Sequence, residues 1–169
     1  MGVRLAILGA TGAVGAELLR QLQRRGFPLD GDPVLLASPR SAGRRLPWRG
    51  GEVEVREVTE DAFDGVDVAL FSAGADRSRT WAPVAARAGA VVVDNSSAWR
   101  RDPEVPLVVA EVNPADAADR PLGIVANPNC TTMALMVAVG PLHRAFGLRA
   151  MVASSYQAAG GAGQSGIDE

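Results

Sequence analysis

Cys130 is the residue of this chain whose type and setting could do covalent chemistry. It is the only cysteine, and it stands in Asn127-Pro128-Asn129-Cys130-Thr131-Thr132, between the apolar run Ile124–Ala126 and a helical pattern over Thr131–Phe146. Pro128 and Asn129 are loop and cap residues, so the spacing puts Cys130 at a helix N-terminus. Exposed N–H groups there stabilise a thiolate, the nucleophilic form of cysteine. A lone cysteine is more often a small buried apolar side chain, but a polar loop at the end of a strand favours the nucleophile. The one histidine, His143, lies about 20 Å further along if the helix is straight. It reads as a structural or surface residue and not as the partner of the thiol.

A second feature bears on what that sulfur could do. Gly9-Ala10-Thr11-Gly12-Ala13-Val14-Gly15 follows the apolar run Val3–Leu8 and opens a helical pattern over Ala13–Arg25. Glycines at a strand-to-helix turn permit positive φ and let backbone N–H groups approach a pyrophosphate. The expected ligands of such a turn are Gly9, Thr11, Gly12, Ala13 and Val14. A site for NAD places a carboxylate about 20 residues further on, against the ribose 2′-hydroxyl. The corresponding stretch Leu35–Gly43 has no carboxylate and offers Ser38, Arg40 and Ser41 instead. Hydroxyls and a guanidinium suit a 2′-phosphate dianion, so the expected cofactor is NADP. A thiolate beside a nicotinamide suggests one sequence of events: addition to an aldehyde, hydride transfer and an acyl thioester. Ser72-Ala73-Gly74, after Val68–Phe71, is either a simple turn or a place for the cofactor to cross the strand ends. Asp94–Arg101 is a polar segment after Val91–Val93, where Arg100 or Arg101, with Asn129, could hold an anion; spacing does not separate the two arginines.

These residues need a scaffold that gathers loops at one edge. Short continuous apolar runs fit strands covered on both faces. They are Val3–Leu8, Val34–Ala37, Val68–Phe71, Val91–Val93, Leu107–Val109 and Ile124–Ala126, with helical patterns between them at Ala13–Arg25, Ser78–Ala88 and Thr131–Phe146. Glu52–Val58 alternates charged and apolar residues after Arg49-Gly50-Gly51, as a half-exposed strand or hairpin does. The fold class expected is α/β, a doubly wound, mostly parallel sheet. Leu148–Tyr156 reads as a further strand, and the glycine-rich loop after it either trails off or opens a second domain. The second is the expectation: 1–146 forms the cofactor domain carrying the nucleophile, and 147–169 begins a second domain that is cut off, which the family resemblance given below makes a substrate and dimerisation domain of α+β type.

Composition narrows the partners. The chain has 169 residues with a net charge of −2, which is no basic nucleic-acid binder. No apolar run approaches the roughly 20 residues of a membrane span, and Leu5–Leu8 runs into glycines where a signal peptide would continue. All 17 basic side chains are arginine, which excludes Schiff-base chemistry on lysine. One cysteine offers no cluster for a metal. The expectation is a cytoplasmic domain with small-molecule partners, no metal, no nucleic acid and no membrane.

Taken together, Gly9–Gly15, Ser38–Gly43, Phe71–Gly74, Asp94–Arg100, Asn127–Thr132 and Ser155-Tyr156-Gln157-Ala158 resemble the motifs of the bacterial aspartate-semialdehyde dehydrogenases, in order and over essentially the whole chain. The resemblance implies a Rossmann-type fold and NADP-dependent reductive dephosphorylation of L-aspartyl 4-phosphate to the semialdehyde, on the way to lysine, threonine, methionine and diaminopimelate. It implies that Cys130 is the thioester nucleophile, that Gln157 positions substrate, and that Arg100, over Arg101, holds phosphate with Asn129 beside it. It places Thr11–Val14, Arg40, Ser41 and the Gly160-Gly161 loop on NADP. Two departures stand out: Gly160 replaces the family's usual serine, and family members are longer. Their catalytic histidine, a carboxylate-binding arginine and the oligomer-forming domain, which makes a dimer or tetramer, fall beyond position 169. Such a chain alone is expected to be weakly active at best, since a positioned base contributes about 10²–10⁴-fold. The related N-acetyl-glutamyl-phosphate reductases resemble an Asn-Pro-Gly-Cys-Tyr pattern, which Asn127–Thr131 does not match.

Overall fold

The computed structural model describes residues 2–157. Seven strands form one sheet: β1 (Leu5–Leu8), β2 (Val34–Ala37), β3 (Arg45–Trp48), β4 (Gly51–Glu57), β5 (Val68–Phe71), β6 (Val91–Asp94) and β7 (Ile124–Ala126), in the order β3-β4-β2-β1-β5-β6-β7. Every pair is parallel except β3 with β4. The helices are α1 (Ala13–Arg24), α2 (Ala75–Arg87) and α3 (Cys130–Phe146). This is the doubly wound α/β class that alternating apolar runs and helical patterns imply.

Side-chain alternation explains why both faces need cover. Leu5 and Ile7 of β1 join Leu19 of α1, Leu35 and Val55 in one core. Ala6 and Leu8 point the other way, into a core with Ala82 and Ala85 of α2, Phe63, Phe71 and Ile124. The charged–apolar alternation of 52–58 becomes the second arm of a hairpin. Its turn, Arg49-Gly50, has φ 44° and 83°, the doubly positive geometry that matches the twist of two adjacent antiparallel strands.

Four expectations about element boundaries are not met. Val3 lies outside β1 and makes only an isolated bridge to Leu29. Leu107–Val109 is no strand. It touches β7 through one parallel bridge, Leu107 to Ala126, since Pro106 lacks the N–H that would extend the ladder. Leu148–Tyr156 is also not a strand; the described part, through Gln157, is exposed and without regular structure, and no strand among the described residues lies beside it to pair its backbone. α2 starts earlier than the apolar pattern does, because Gly74 at φ 86° turns the chain directly into it.

The β1–α1 turn is packed to its limit. A Cβ on Gly9, already at φ 91°, would lie 2.3 Å from the Ser72 carbonyl oxygen, and one on Gly15 would lie 2.2 Å from the Gly9 oxygen. At Gly12 the nearest atom is 3.4 Å away. Gly15→Ala is therefore expected to lose about 2–4 kcal/mol in urea denaturation, and Gly12→Ala less than about 1 kcal/mol. Equal midpoints for both variants and the parent would contradict this packing.

α3 presents the opposite situation. Its sequence is apolar nearly all round, yet Gly140 is its one buried residue, while Val137, Leu142 and Phe146 are 43%, 53% and 83% exposed. Uncovered apolar surface of this kind drives association. Sedimentation of the 169-residue chain should show concentration-dependent self-association that Leu142→Glu with Phe146→Glu reduces; a monomer at every concentration would refute it.

Candidate active site

One cleft of about 780 Å³ runs along the C-terminal ends of β1, β2, β5 and β6, the edge where open α/β sheets bind ligands. Its floor is the glycine turn: Leu8, Gly9, Thr11, Gly12, Ala13 and Val14 all line it. Gly9 N–H and Ala10 N–H donate to the Leu36 carbonyl at 2.9 and 3.2 Å, which ties the turn to β2. Gly12 caps α1 with no side-chain bond. The N–H groups of Ala13, Val14 and Gly15 find no acceptor among the described residues, as the first N–H groups of a helix do not within the helix. With the helix dipole, such unpaired N–H groups favour an anion.

The loop after β2 supplies one wall with Ser38, Arg40 and Ser41, folded as a short helical turn over Pro39–Ser41 in which Ser41 N–H donates to the Ser38 carbonyl at 2.9 Å. The loop after β5 supplies Ser72, Ala73 and Gly74, and the first turn of α2 supplies Ala75 and Arg77. Ser72 N–H donates to the Leu8 carbonyl at 2.9 Å, so the two loops are hydrogen-bonded side by side. Thus Ser72–Gly74 does face the cleft. Three arginines line this space and no aspartate or glutamate does, although acids outnumber bases in the chain, 19 to 17.

At the far end stand Asn95, Ser96, Ser97, Arg100 and Asn129. Asp94, fully buried, anchors this segment: Ser96 N–H and Ser96 Oγ–H donate to its two carboxylate oxygens at 2.9 and 2.7 Å. Trp99 Nε1–H donates to buried Ser78 Oγ at 3.0 Å, pinning the segment to α2. Arg100 is then held from both sides, with Nε donating to the Asn127 carbonyl at 2.8 Å and Nη2 to the Asn95 carbonyl at 3.0 Å. Its Nη1 is left for a ligand. Arg101 is exposed and does not line the cleft.

Asn129 caps α3. Its Oδ1 accepts from Thr131 N–H at 3.0 Å and from the Thr131 hydroxyl, which leaves its amide N–H groups to donate. Cys130, the next residue, is an exposed free thiol and the first residue of α3; it adjoins the cleft without lining it. His143 lies in the last turn of the same helix. Gln157 is exposed and does not line the cleft. Gly160 and Gly161 lie outside the described residues. Arg77 is the cleft residue that the sequence patterns did not single out; its position three residues past Gly74 was the available signal. Among the described residues no group of three or more His, Cys, Asp or Glu could hold a metal, and no helix is long and apolar enough to cross a membrane.

Known proteins share this fold. Residues 4–120 match the family model described as semialdehyde dehydrogenase, NAD binding domain. The chain is 51% identical over 171 aligned positions to the aspartate-semialdehyde dehydrogenase of Aquifex aeolicus, covering 100% of this chain and 50% of that protein. Among solved structures, aspartate semialdehyde dehydrogenase II of Vibrio cholerae, complexed with ASA, superposes with a TM-score of 0.95 at 47% identity, covering 99% of this chain and 50% of that one. The aspartate semialdehyde dehydrogenase of Candida albicans, solved with NADP, gives 0.73 at 27% identity, covering 88% and 48%. The chain thus spans about half the length of the curated relatives it matches. A glycine turn, a cationic cleft and a capped cysteine helix on this sheet, with that match over residues 4–120, make the chain a member of the semialdehyde dehydrogenase family, carrying its NAD-binding domain.

Proposed function

We propose that this chain forms the NADP-binding, nucleophile-bearing part of an aspartate-semialdehyde dehydrogenase, which reductively dephosphorylates L-aspartyl 4-phosphate to L-aspartate 4-semialdehyde through a thioester on Cys130. The observation that carries the reading is the cleft itself: lined by arginines and no carboxylate, it runs from the glycine turn to Arg100 and Asn129, one residue from an exposed thiol. Residues 1–146 would supply this unit and 147–169 would begin a second one, a division supported by the end of α3 at Phe146, where Gly147 caps it in the left-handed region at φ 66°.

The cleft fits a phosphorylated dinucleotide. No Cβ can be placed on Gly9, so its backbone is kept bare beside the N–H groups of Ala13 and Val14 that receive the pyrophosphate, with Thr11 and Gly12 alongside. Ser38, Arg40 and Ser41 would receive the 2′-phosphate, with Ser72-Ala73-Gly74 flanking the cofactor, and the resemblance assigns Gly160-Gly161 to NADP as well. When bound, NADPH supplies the hydride that reduces the acyl group. In the reducing direction Cys130 Sγ, as the thiolate, attacks the acyl carbon; the C–S bond forms and the C–O bond to phosphate breaks. The departing phosphate carries the negative charge, and Arg100 Nη1–H and the Asn129 amide N–H donate to its oxygens. After reduction the C–S bond breaks, and the thiolate and aldehyde separate. Gln157 orients the substrate carbonyl.

Calorimetric titration of the chain with each cofactor tests the first half of this reading: Arg40→Ala should weaken NADP about tenfold or more while changing NAD little. Equal loss for both would take Arg40 off the 2′-phosphate. For the second half, a polypeptide containing this chain should form NADPH from aspartate semialdehyde only when phosphate is present, and Cys130→Ser should cut that rate by about 10³-fold or more. Turnover surviving within tenfold would place the nucleophile elsewhere.

A further inference from the structure

Arg77 is the cation of the cleft that the reading above leaves without a task. It sits in the first turn of α2 and lines the same space as Gly12, Ser38 and Arg40. Its neighbour Asp76 does not neutralise it, because that carboxylate holds Arg79 at 3.1 Å. Among the described residues neither Arg77 nor Arg40 has a hydrogen-bond or ion-pair partner. β2 and β5 are the two neighbours of β1, so the loops that carry Arg40 and Arg77 flank the glycine turn from opposite sides. Their roots are two strand spacings apart, about 10 Å. Two guanidiniums facing one carboxylate-free space repel until an anion lies between them.

The geometry points to Arg77 as the second half of a guanidinium pair that, with Arg40, grips a dianionic phosphate monoester on the adenosine end of the cofactor. The assignment rests on the reading of the cleft as an NADP site and adds a residue to it. The pyrophosphate has its own donors in the first N–H groups of α1. A terminal monoester carries close to two negative charges; Ser38 and Ser41 add neutral hydroxyl donors, which leaves the one positive charge of Arg40 against two. Arg77, entering from the β5 side, closes that shortfall and makes the site selective for a ligand bearing the extra phosphate.

The test uses adenosine 2′,5′-bisphosphate and 5′-AMP as probes, titrated calorimetrically into the 169-residue chain and its Arg40→Gln and Arg77→Gln variants, each checked by circular dichroism. Arg77→Gln should weaken the bisphosphate about tenfold and 5′-AMP less than about twofold, as Arg40→Gln does. Unchanged bisphosphate binding in Arg77→Gln, with loss in Arg40→Gln, overturns the pair and leaves the NADP reading standing. Equal loss of both probes in Arg77→Gln also overturns it, as the mark of stacking on the adenine. A parent chain that binds the bisphosphate no more tightly than 5′-AMP sinks the NADP reading and this proposal with it.

Discussion

Three backbones meet at Gly9 with no space for a single methyl group, and the cleft depends on that crowding. The Ser72 carbonyl closes on Gly9 from β5, and Gly15 brings α1 onto the Gly9 oxygen from above. The consequence is geometric: the first N–H groups of α1 are fixed relative to the ends of β1, β2 and β5 together, and not to one loop alone. Hydrogen bonds from Gly9 and Ala10 to Leu36, and from Ser72 to Leu8, lock the same three strand ends in register. An anion site made of backbone can be this precise because its parts cannot move separately.

Charge follows from the same layout. All 17 lysine-or-arginine positions are arginine, whose guanidinium is a planar donor with an orientation that matters as much as its sign. Arg100 shows how orientation is fixed in advance, with two of its donors engaged by carbonyls from the β6 and β7 loops before any ligand arrives. The buried Asp94 and the Ser78–Trp99 bond set those loops from behind. Arg40 and Arg77 have no such partners and stand on the walls, where a ligand has to organise them. The cleft therefore runs from a rigid donor at one end to adjustable ones at the other.

Legibility in the sequence tracked how local the physics was. The strands β2, β5 and β7 coincide with their apolar runs because burial on both faces leaves no other solution, and the Arg49-Gly50 turn announced its hairpin. The Asn129 cap put Cys130 at the head of α3 because capping is a matter of adjacent residues. Elements needing a distant partner were misread. Leu107–Val109 has the composition of a strand but gets one bridge, since Pro106 cannot donate, and Leu148–Tyr156 has no strand beside it among the described residues. Arg77 escaped notice because only the turn at Gly74 aims that side of α2 at the cleft, and a run of arginines and small residues carries no periodic signal.

Asn129 spends its oxygen on Thr131 and keeps its nitrogen for the cleft. That double duty restricts the position more tightly than capping does. Aspartate caps helices equally well, but it would bring a carboxylate into a cleft that has none. Serine and threonine would cap as well, yet each has a single hydroxyl hydrogen where the amide has two. Among these caps only the carboxamide puts acceptor and donor on different atoms, so its oxygen can hold Thr131 while both amide hydrogens stay free to donate.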